Sequence, residues 1–373
     1  IAYLGFVLLM IGLSTMAKDS ARHDGPSTDD GNLCPMATSA RLKVGLLSAT
    51  GVVLLMAITE TLSTDLTVTP LLWVLPLTVY LLTLILVFGH TRPLPRLLYG
   101  GLLVAALALM TWLLFFDWRA HWTIQVGVWC AGLGAACLAC HAEMVRLKPP
   151  AKHLTDYYLS MAFGGACGGI FAGAIAPLIF PVTMELYIGL LACWFLFGWC
   201  WLADLASNRP LQPREVLRGE VHLIGLTLIL AFSLHGWARM SGETRLYRSF
   251  YGALQVKYYP SASQNPRYIH LLDGRISHGF QYLAPEKQDF PTTYFVPQSG
   301  IGRLLDGWPA PKRVAVLGLG TGTLAAYARK GDHFVFYEIN PDVAKVARSA
   351  FTYLRRAKGE ISVHLGDGRK RLE

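Results

Sequence analysis

This chain is short of charge. Only 15% of its 373 residues are Asp, Glu, Lys or Arg, against about 25% in an ordinary soluble domain. Cysteine is missing from the C-terminal part: all seven (Cys34, Cys130, Cys137, Cys140, Cys167, Cys193 and Cys200) precede residue 201. That absence excludes a disulfide framework or a thiolate metal site beyond that point, and no metal is expected elsewhere. Long apolar runs are also missing after Trp237, which sets a domain boundary near residue 238. The chain opens at Ile1 on a short apolar run with no basic leader or cleavage site. It reads as a chain cut inside a helix rather than as a signal peptide.

What is present before the boundary is apolar sequence in blocks, roughly 1–16, 42–58, 70–89, 97–116, 122–144, 158–180, 183–204 and 219–237. A bilayer core of ~30 Å needs about 20 helical residues, and most blocks reach that length. Residues 1–237 therefore read as a multi-pass helical membrane domain with about eight apolar segments, the first partial.

Charge divides unevenly across the boundary. Residues 1–237 hold 13 basic and 13 acidic residues, whereas 238–373 hold 20 and 11, so the whole excess of +9 is C-terminal. A basic surface of this kind suits anionic lipid headgroups. No run interleaves Lys and Arg with aromatics along one face, so nucleic acid is not an expected partner.

Within the membrane half, "CLACH" (Cys137 to His141) fits the spacing of haem attachment but sits inside an apolar helix. Small, soft packing residues are the expected reading. Glu60, Asp65, His141 and Glu143 are the carboxylates and imidazole that a polar membrane pathway would use; the competing reading places them in aqueous loops. Gly164, Gly165, Gly168, Gly169 and Gly173 recur at four-residue spacing, which marks a face for close helix packing. Lys and Arg concentrate in the loops at 17–43, 90–96, 145–157 and 205–218. The positive-inside rule puts those loops in the cytoplasm and, if 219–237 crosses, the C-terminal domain outside.

After residue 238 the period changes. "FYGALQVKY", "RYIHLL" and "RISHGFQYL" alternate as half-buried strands, with the hairpin pair Asp273-Gly274 between the last two. Residues 238–290 thus read as a small antiparallel β-domain. In 291–373 a helix ends near Gly307, and "VAVLGLGTG" follows as a buried strand and a glycine turn. Gly318, Gly320 and Gly322 permit a tight turn with close backbone approach, and the next helix is expected to present free N–H groups. Glu338 ends the next strand 20 residues after Gly318, where a carboxylate can hold ribose hydroxyls. Asn340 caps the helix that Pro341 starts, and "GDGR" (Gly366 to Arg369) follows a third strand. Thr323 stands where a dinucleotide fingerprint wants its third glycine, so an adenosyl-sulfonium ligand fits better than NAD.

These residues resemble those of spermidine synthases, the aminopropyltransferase branch of the S-adenosylmethionine methyltransferase fold. "EINP", "GDGR" and "LLDGRISHGFQ" carry that resemblance. The membrane half, with "TPLLWVLPLTVYLL" and "CHAEMVRLKPPAKHLTDYYLSMAFGGACGG", is similar to bacterial proteins in which a major-facilitator-like domain is fused to a spermidine synthase. The resemblance implies residues 291–373 as the first half of a Rossmann-like α/β fold that binds S-adenosylmethionine or its decarboxylated form. Gly318, Gly320, Thr321, Gly322, Glu338, Asp367 and Gly368 would contact that co-substrate, with Asp367 at the adenine. Tyr251, Gln281 and Tyr294 would contact a small amine, and the catalytic aspartate would lie beyond Glu373. It further implies a bacterial inner-membrane protein with its nucleotide domain in the cytoplasm, opposite to the loop-charge count. It leaves oligomerisation open.

The chain departs from that family where Thr321 replaces a turn aspartate, where Tyr251-Gly252 replaces Tyr-Gln, and where Tyr294-Phe295 replaces Tyr-His. The expected activity is aminopropyl transfer to an amine. Methyl transfer to a membrane-associated substrate, or a transporter with a nucleotide-sensing domain, are the alternatives.

Overall fold

The structure is a computed structural model that describes residues 36–65, 72–90, 93–116, 121–181, 183–207, 224–231, 234–235, 244–260, 267–274 and 276–372. Apart from Met36 and Ala37, these belong to one compact unit, Thr38–Glu373. The expected segment at 1–16 lies outside the described residues; of 219–237, residues 224–231 and 234–235 are described, and they are helical.

Six long helices come first: α1 (Thr38–Asp65), α2 (Val74–Gly89), α3 (Arg96–Phe116), α4 (Trp122–Arg146), α5 (Leu154–Ile170) and, after the short α6 (Ala176–Ile179), α7 (Glu185–Ser207). Among the described residues, five stretches are long and apolar enough to cross a membrane: Thr38–Ser63, Arg96–Leu113, Trp122–Arg146, Ala151–Ile179 and Glu185–Leu202. Of the expected block at 70–89, α2 covers the 16 residues Val74–Gly89, while 70 and 71 lie outside the described residues.

The glycine face packs as its spacing predicts. A Cβ on Gly164 would fall on the backbone of Gly45, and one on Gly168 on the backbone of Ala49, so α1 and α5 touch main chain to main chain. Ser48 Oγ donates to Met161 O across that crossing at 2.7 Å. After α5 the helix widens into a π turn at Phe171–Ile175, where Ala176 N–H reaches Phe171 O. Pro177 explains the change: it has no N–H to give back to Gly173, so the ladder cannot continue in α register.

Several polar residues of the bundle are paired within it. Glu143 is buried on α4, where Arg96 grips both carboxylate oxygens at 2.7 and 2.8 Å and Tyr99 donates as well. His141 faces the other way and meets Thr83 Oγ1 through Nδ1 at 3.0 Å. Cys137 and Cys140 are fully buried, and Cys140 Sγ lies 3.7 Å from Cys193 Sγ on α7. Glu60 and Asp65 fall within the last turns of α1, so the loop placement is corrected to helix.

A four-stranded antiparallel sheet follows, in the order β1 (Arg245–Ser249), β2 (Gly252–Tyr259), β3 (Tyr268–Asp273), β4 (Ile276–Tyr282). The first strand was not legible as separate, because Phe250-Tyr251 is the turn rather than the start of β2. Leu254 and Val256 are buried as the alternation requires, whereas Phe250 is 88% exposed.

The helix α8 (Gly300–Gly307), N-capped by Ser299, then leads to a three-stranded parallel sheet. It contains β5 (Arg313–Leu317), β6 (His333–Glu338) and β7 (Glu360–Leu365), with α9 (Pro341–Ser349) and α10 (Tyr353–Arg356) between the last two and α11 (Gly368–Leu372) at the end. Asn340 accepts the Asp342 N–H at 3.0 Å and caps α9 as expected. The helix breaks at Ala350, and Leu354 belongs to α10. The α9 helix lies between the two sheets. Its Val346 joins Leu254, Val256, Ile269 and Leu271 of the antiparallel sheet, and its Ala344 and Ala347 join Phe334 and Phe336 of the parallel one. Each fully buried large apolar side chain is worth about 1.5–3 kcal/mol, so these two clusters fix the sheets to one helix.

The segment after the glycine turn differs from expectation. It is a five-residue 3₁₀ helix, Thr323–Tyr327, rather than an α-helix. Gly331, at φ 90°, turns the chain into β6 too soon for a longer one. The turn therefore gains no helix-terminal anion site, and its own backbone must supply the donors.

Candidate functional site

The three glycines of the turn all carry positive φ: Gly318 at 91°, Gly320 at 55° and Gly322 at 79°. Their spacing is thus a conformational requirement, since L side chains rarely adopt this region. They differ in what surrounds them. A Cβ on Gly320 would stand 3.0 Å from His278 O, and one on Gly322 2.9 Å from Leu354 Cδ2, whereas one on Gly318 would meet nothing within 4 Å. The turn is seated against β4 and α10 and open at its first glycine.

Glu338 closes the turn from beneath. Its Oε2 accepts Leu319 N–H at 2.9 Å and its Oε1 accepts Asn340 N–H at 2.8 Å. Each oxygen keeps a second lone pair, so acceptor capacity remains. Gly366 N–H bonds Glu338 O at 2.9 Å and brings the third strand end alongside. Asp367, just beyond it, is exposed and accepts Arg369 N–H at 3.0 Å. Gly368 leaves room for Leu317, whose Cδ2 would be 2.6 Å from an added Cβ. The turn, Glu338 and Asp367 therefore share the C-terminal edge of the parallel sheet, where open sheets of this kind bind ligands. Leu317, Ile339 and Leu365 are exposed along the same edge and form an apolar shelf.

Thr321 is not part of that open edge. It is fully buried, its Oγ1 lies 2.7 Å from Thr323 Oγ1, and it packs where a Cβ on Gly279 would be 2.6 Å from Thr321 Oγ1. Gly279 sits in β4 at φ 126°, so Thr321 is a contact between the turn and the small sheet. Gln281 is likewise engaged by the fold. Its Nε2 donates to Gln288 O at 2.8 Å and to Thr352 Oγ1 at 2.7 Å, and its Oε1 accepts Thr352 N–H at 2.9 Å. Tyr294 is exposed on a short 3₁₀ turn beside Phe295. Tyr251 is half-exposed in the β1–β2 turn, on the side facing the helices rather than at the glycine turn.

Sequence reasoning missed the connection between the two halves. Arg248 and Ser249 are neighbours on β1 and point opposite ways. Arg248 reaches the helices and donates to Glu185 at 2.7 and 3.0 Å and to Glu60 at 3.1 Å. Burial pulls this guanidinium towards losing its proton, but the bonds to Glu185 and the charge of Glu60 hold its pKa above the ordinary arginine value. Ser249 Oγ instead lies 3.4 Å from Asn340 Oδ1, beside the Glu338 clamp. The only signal in the sequence was Glu185, a lone carboxylate opening an apolar helix. Near the same strand, burial pushes the Asp273 carboxyl up, against the pull of His278 and of the Ala253 N–H. Burial also raises the Tyr353 phenol to about 12; it donates to Phe290 O at 2.9 Å behind the turn.

Comparison of the chain with protein-family models, with curated proteins and with solved structures found no match.

Proposed function

We propose that the chain is a membrane-bound transferase of spermidine synthase-like, Rossmann-like type whose Gly318–Gly322 turn binds S-adenosylmethionine or its decarboxylated form. The observation that carries this reading is the open face at Gly318, held by the Glu338–Leu319 bond, on the sheet edge that also holds Asp367. Glu338 would take the ribose hydroxyls with its remaining lone pairs, and Asp367 the adenine amino group over the apolar shelf. A backbone turn in positive φ suits the sulfonium end, because it lets the ligand pass without a side chain in the way.

The reaction we assign is transfer of an aminopropyl or related group to an amine. The amine nitrogen bonds to the carbon beside the sulfonium, the thioether leaves, and a base takes the amine proton. Methyl transfer is the second reading, and one observation favours it. Thr321 is buried against Gly279 and offers no carboxylate to an aminopropyl ammonium. Such a co-substrate would have the turn work on the cytoplasmic side of a bacterial inner membrane.

Equilibrium titration of full-length protein with both sulfonium nucleotides tests the reading. The expected result is saturable binding of at least one, lost in Glu338→Ala. Binding of neither by the wild type overturns it. Product mass then separates the two transfers, a methylene gain against an aminopropyl gain.

A further inference from the structure

The first hairpin turns on two aromatic residues. Ser249 pairs with Gly252, so the turn between β1 and β2 consists of Phe250 and Tyr251 alone. Two-residue turns favour Asn, Asp and Gly, which adopt the turn backbone readily. Neither aromatic ring helps in that way, and Gly252, at φ 140°, carries the unusual conformation beside them. Phe250 is nonetheless almost fully exposed and Tyr251 is half-exposed. One exposed apolar residue by itself needs no explanation. This one is part of a larger surface.

The turn stands at the depth of the spans. Phe250 and Tyr251 line one cleft with Leu55, Met56 and Glu60 of α1 and Pro177 of α6. Those helix residues fall inside the stretches Thr38–Ser63 and Ala151–Ile179, not beyond their ends. α6 also packs against β1. Just past Pro177, Leu178 is 86% exposed and Ile179 is exposed as well. The Phe250 ring therefore continues the outward apolar side of a stretch long and apolar enough to cross a membrane.

Exposed tryptophans mark the same end of the bundle. A Cβ on Gly100 of α3 would meet Phe197 and Trp201, far along α7 from Glu185, so Trp112 in the last turns of α3 lies at the Glu185 end. α4 runs against α3, with Gly132 at Met110 and Glu143 at Arg96, and this puts Trp122 at that end too. Trp112 and Trp122 are both exposed, as Glu185 binds Arg248 next to the turn. Tryptophan and tyrosine collect at the headgroup level of membrane proteins. A turn entering that layer must also satisfy its own amides. Tyr251 N–H donates to Ser249 Oγ at 3.3 Å.

We infer that the Phe250–Tyr251 turn anchors the β-domain in the bilayer, with the Phe250 ring among phospholipid chains beside Leu178. Continuity with the apolar side of Ala151–Ile179 selects phospholipid over a second protein surface. The inference goes beyond the transferase reading and does not require it. Ser249, next to the tip, lies 3.4 Å from Asn340 at the Glu338 clamp. The anchor thus holds the glycine-turn edge at a fixed distance from the membrane.

The test places p-benzoylphenylalanine, one position at a time, at Phe250, Leu178 and Trp308 of the full chain in phosphatidylcholine nanodiscs. Trp308 is exposed and precedes β5, so it stands at the opposite edge of the parallel sheet from Asn340. After irradiation, intact mass reads the phosphatidylcholine adduct. Position 250 should give at least ten times the adduct of position 308 and approach that of position 178. An adduct at 178 without one at 250 overturns the anchor alone. Adducts at neither overturn the anchor and the membrane reading of Ala151–Ile179 together. Equal adducts at 250 and 308 overturn it as well. Covalent dimers from position 250 in place of lipid adduct would make the ring a contact between copies, and crosslinks to α1 or α6 would make it part of the bundle. Either result sinks the inference.

Discussion

The carboxylate of Glu338 holds the backbone N–H of Leu319 at 2.9 Å, across the 19 residues that separate strand end from glycine turn. Its other oxygen holds Asn340, so one side chain fixes both loops at the sheet edge. Glu338→Ala removes two hydrogen bonds to a charged acceptor, and bonds of this kind contribute about 1.5–3 kcal/mol each. Denaturant unfolding should show a loss of about 3 kcal/mol, with sulfonium-nucleotide binding abolished.

Asp367 provides the contrast. Its side chain is exposed and, among the described residues, accepts only the Arg369 N–H of its own loop. Asp367→Ala should change unfolding by less than about 1 kcal/mol, as surface changes do, yet weaken nucleotide binding tenfold or more. Unchanged affinity in this variant would remove Asp367 from the site.

Thr321 gives a third prediction, because its burial assigns it to packing. Thr321→Asp would place a carboxylate between Gly279 and Thr323 with no cation among its described contacts. Burial of an unpaired charge costs several kcal/mol or forces the group to protonate. The variant should melt lower at pH 7 than at pH 5, where the new carboxyl is neutral more of the time. A melting temperature equal to wild type at both values would show that the position is an open one.

How much of this was legible follows from the range over which each feature is determined. The glycine turn, the end of β6 at Glu338 and the Asn340-Pro341 cap are set by neighbours in sequence, and each could be read directly. The close-packing face of α5 was readable because Gly164 and Gly168 permit a contact that no other residue would, but that α1 is the helix seated there was not. The 3₁₀ segment was not read, since the start of a helix is written at Thr323 but its early end depends on Gly331. β1 and the Arg248–Glu185 pair were missed for a plainer reason. Arg248 finds its partners 63 and 188 residues away, and nothing local to Arg248 says whether it faces lipid headgroups, water or a buried carboxylate.

The buried pair Lys312–Asp332 should set the acid limb of stability. Lys312 Nζ lies 2.7 Å from Asp332 Oδ2, and both side chains are wholly buried at the start of β5 and β6. Burial alone would raise the Asp332 carboxyl, but Lys312 and the N–H groups of Arg329 and Lys312 hold it below the ordinary value. A carboxyl depressed in the folded state adds stability that is full above its unfolded pKa, about 3.9, and is lost as pH falls through the lower folded value. Melting temperature should therefore hold from pH 7 to about pH 5 and then fall. Asp332→Asn should be less stable at pH 7 by about 3–5 kcal/mol, because Lys312 is left without its counter-charge. It should also lose part of the acid dependence. An acid limb as steep as wild type would place that dependence elsewhere.

The last prediction separates two adjacent glycines of α5. A Cβ on Gly168 would meet the Ala49 backbone, with its Cα 2.9 Å away, whereas on Gly169 it would find only Val52 Cγ1 at 3.8 Å, an ordinary contact. Gly168→Ala must push α1 and α5 apart, since main chain cannot yield as a side chain can. Overpacking of this kind costs about 1–3 kcal/mol, and here it also opens the crossing that Ser48 bridges to Met161. Gly169→Ala should be neutral or slightly stabilising, as a better helix former at an uncrowded site. Thermal unfolding in the same detergent, read by circular dichroism, compares them. If the two variants melt together, α1 and α5 do not meet through Gly168.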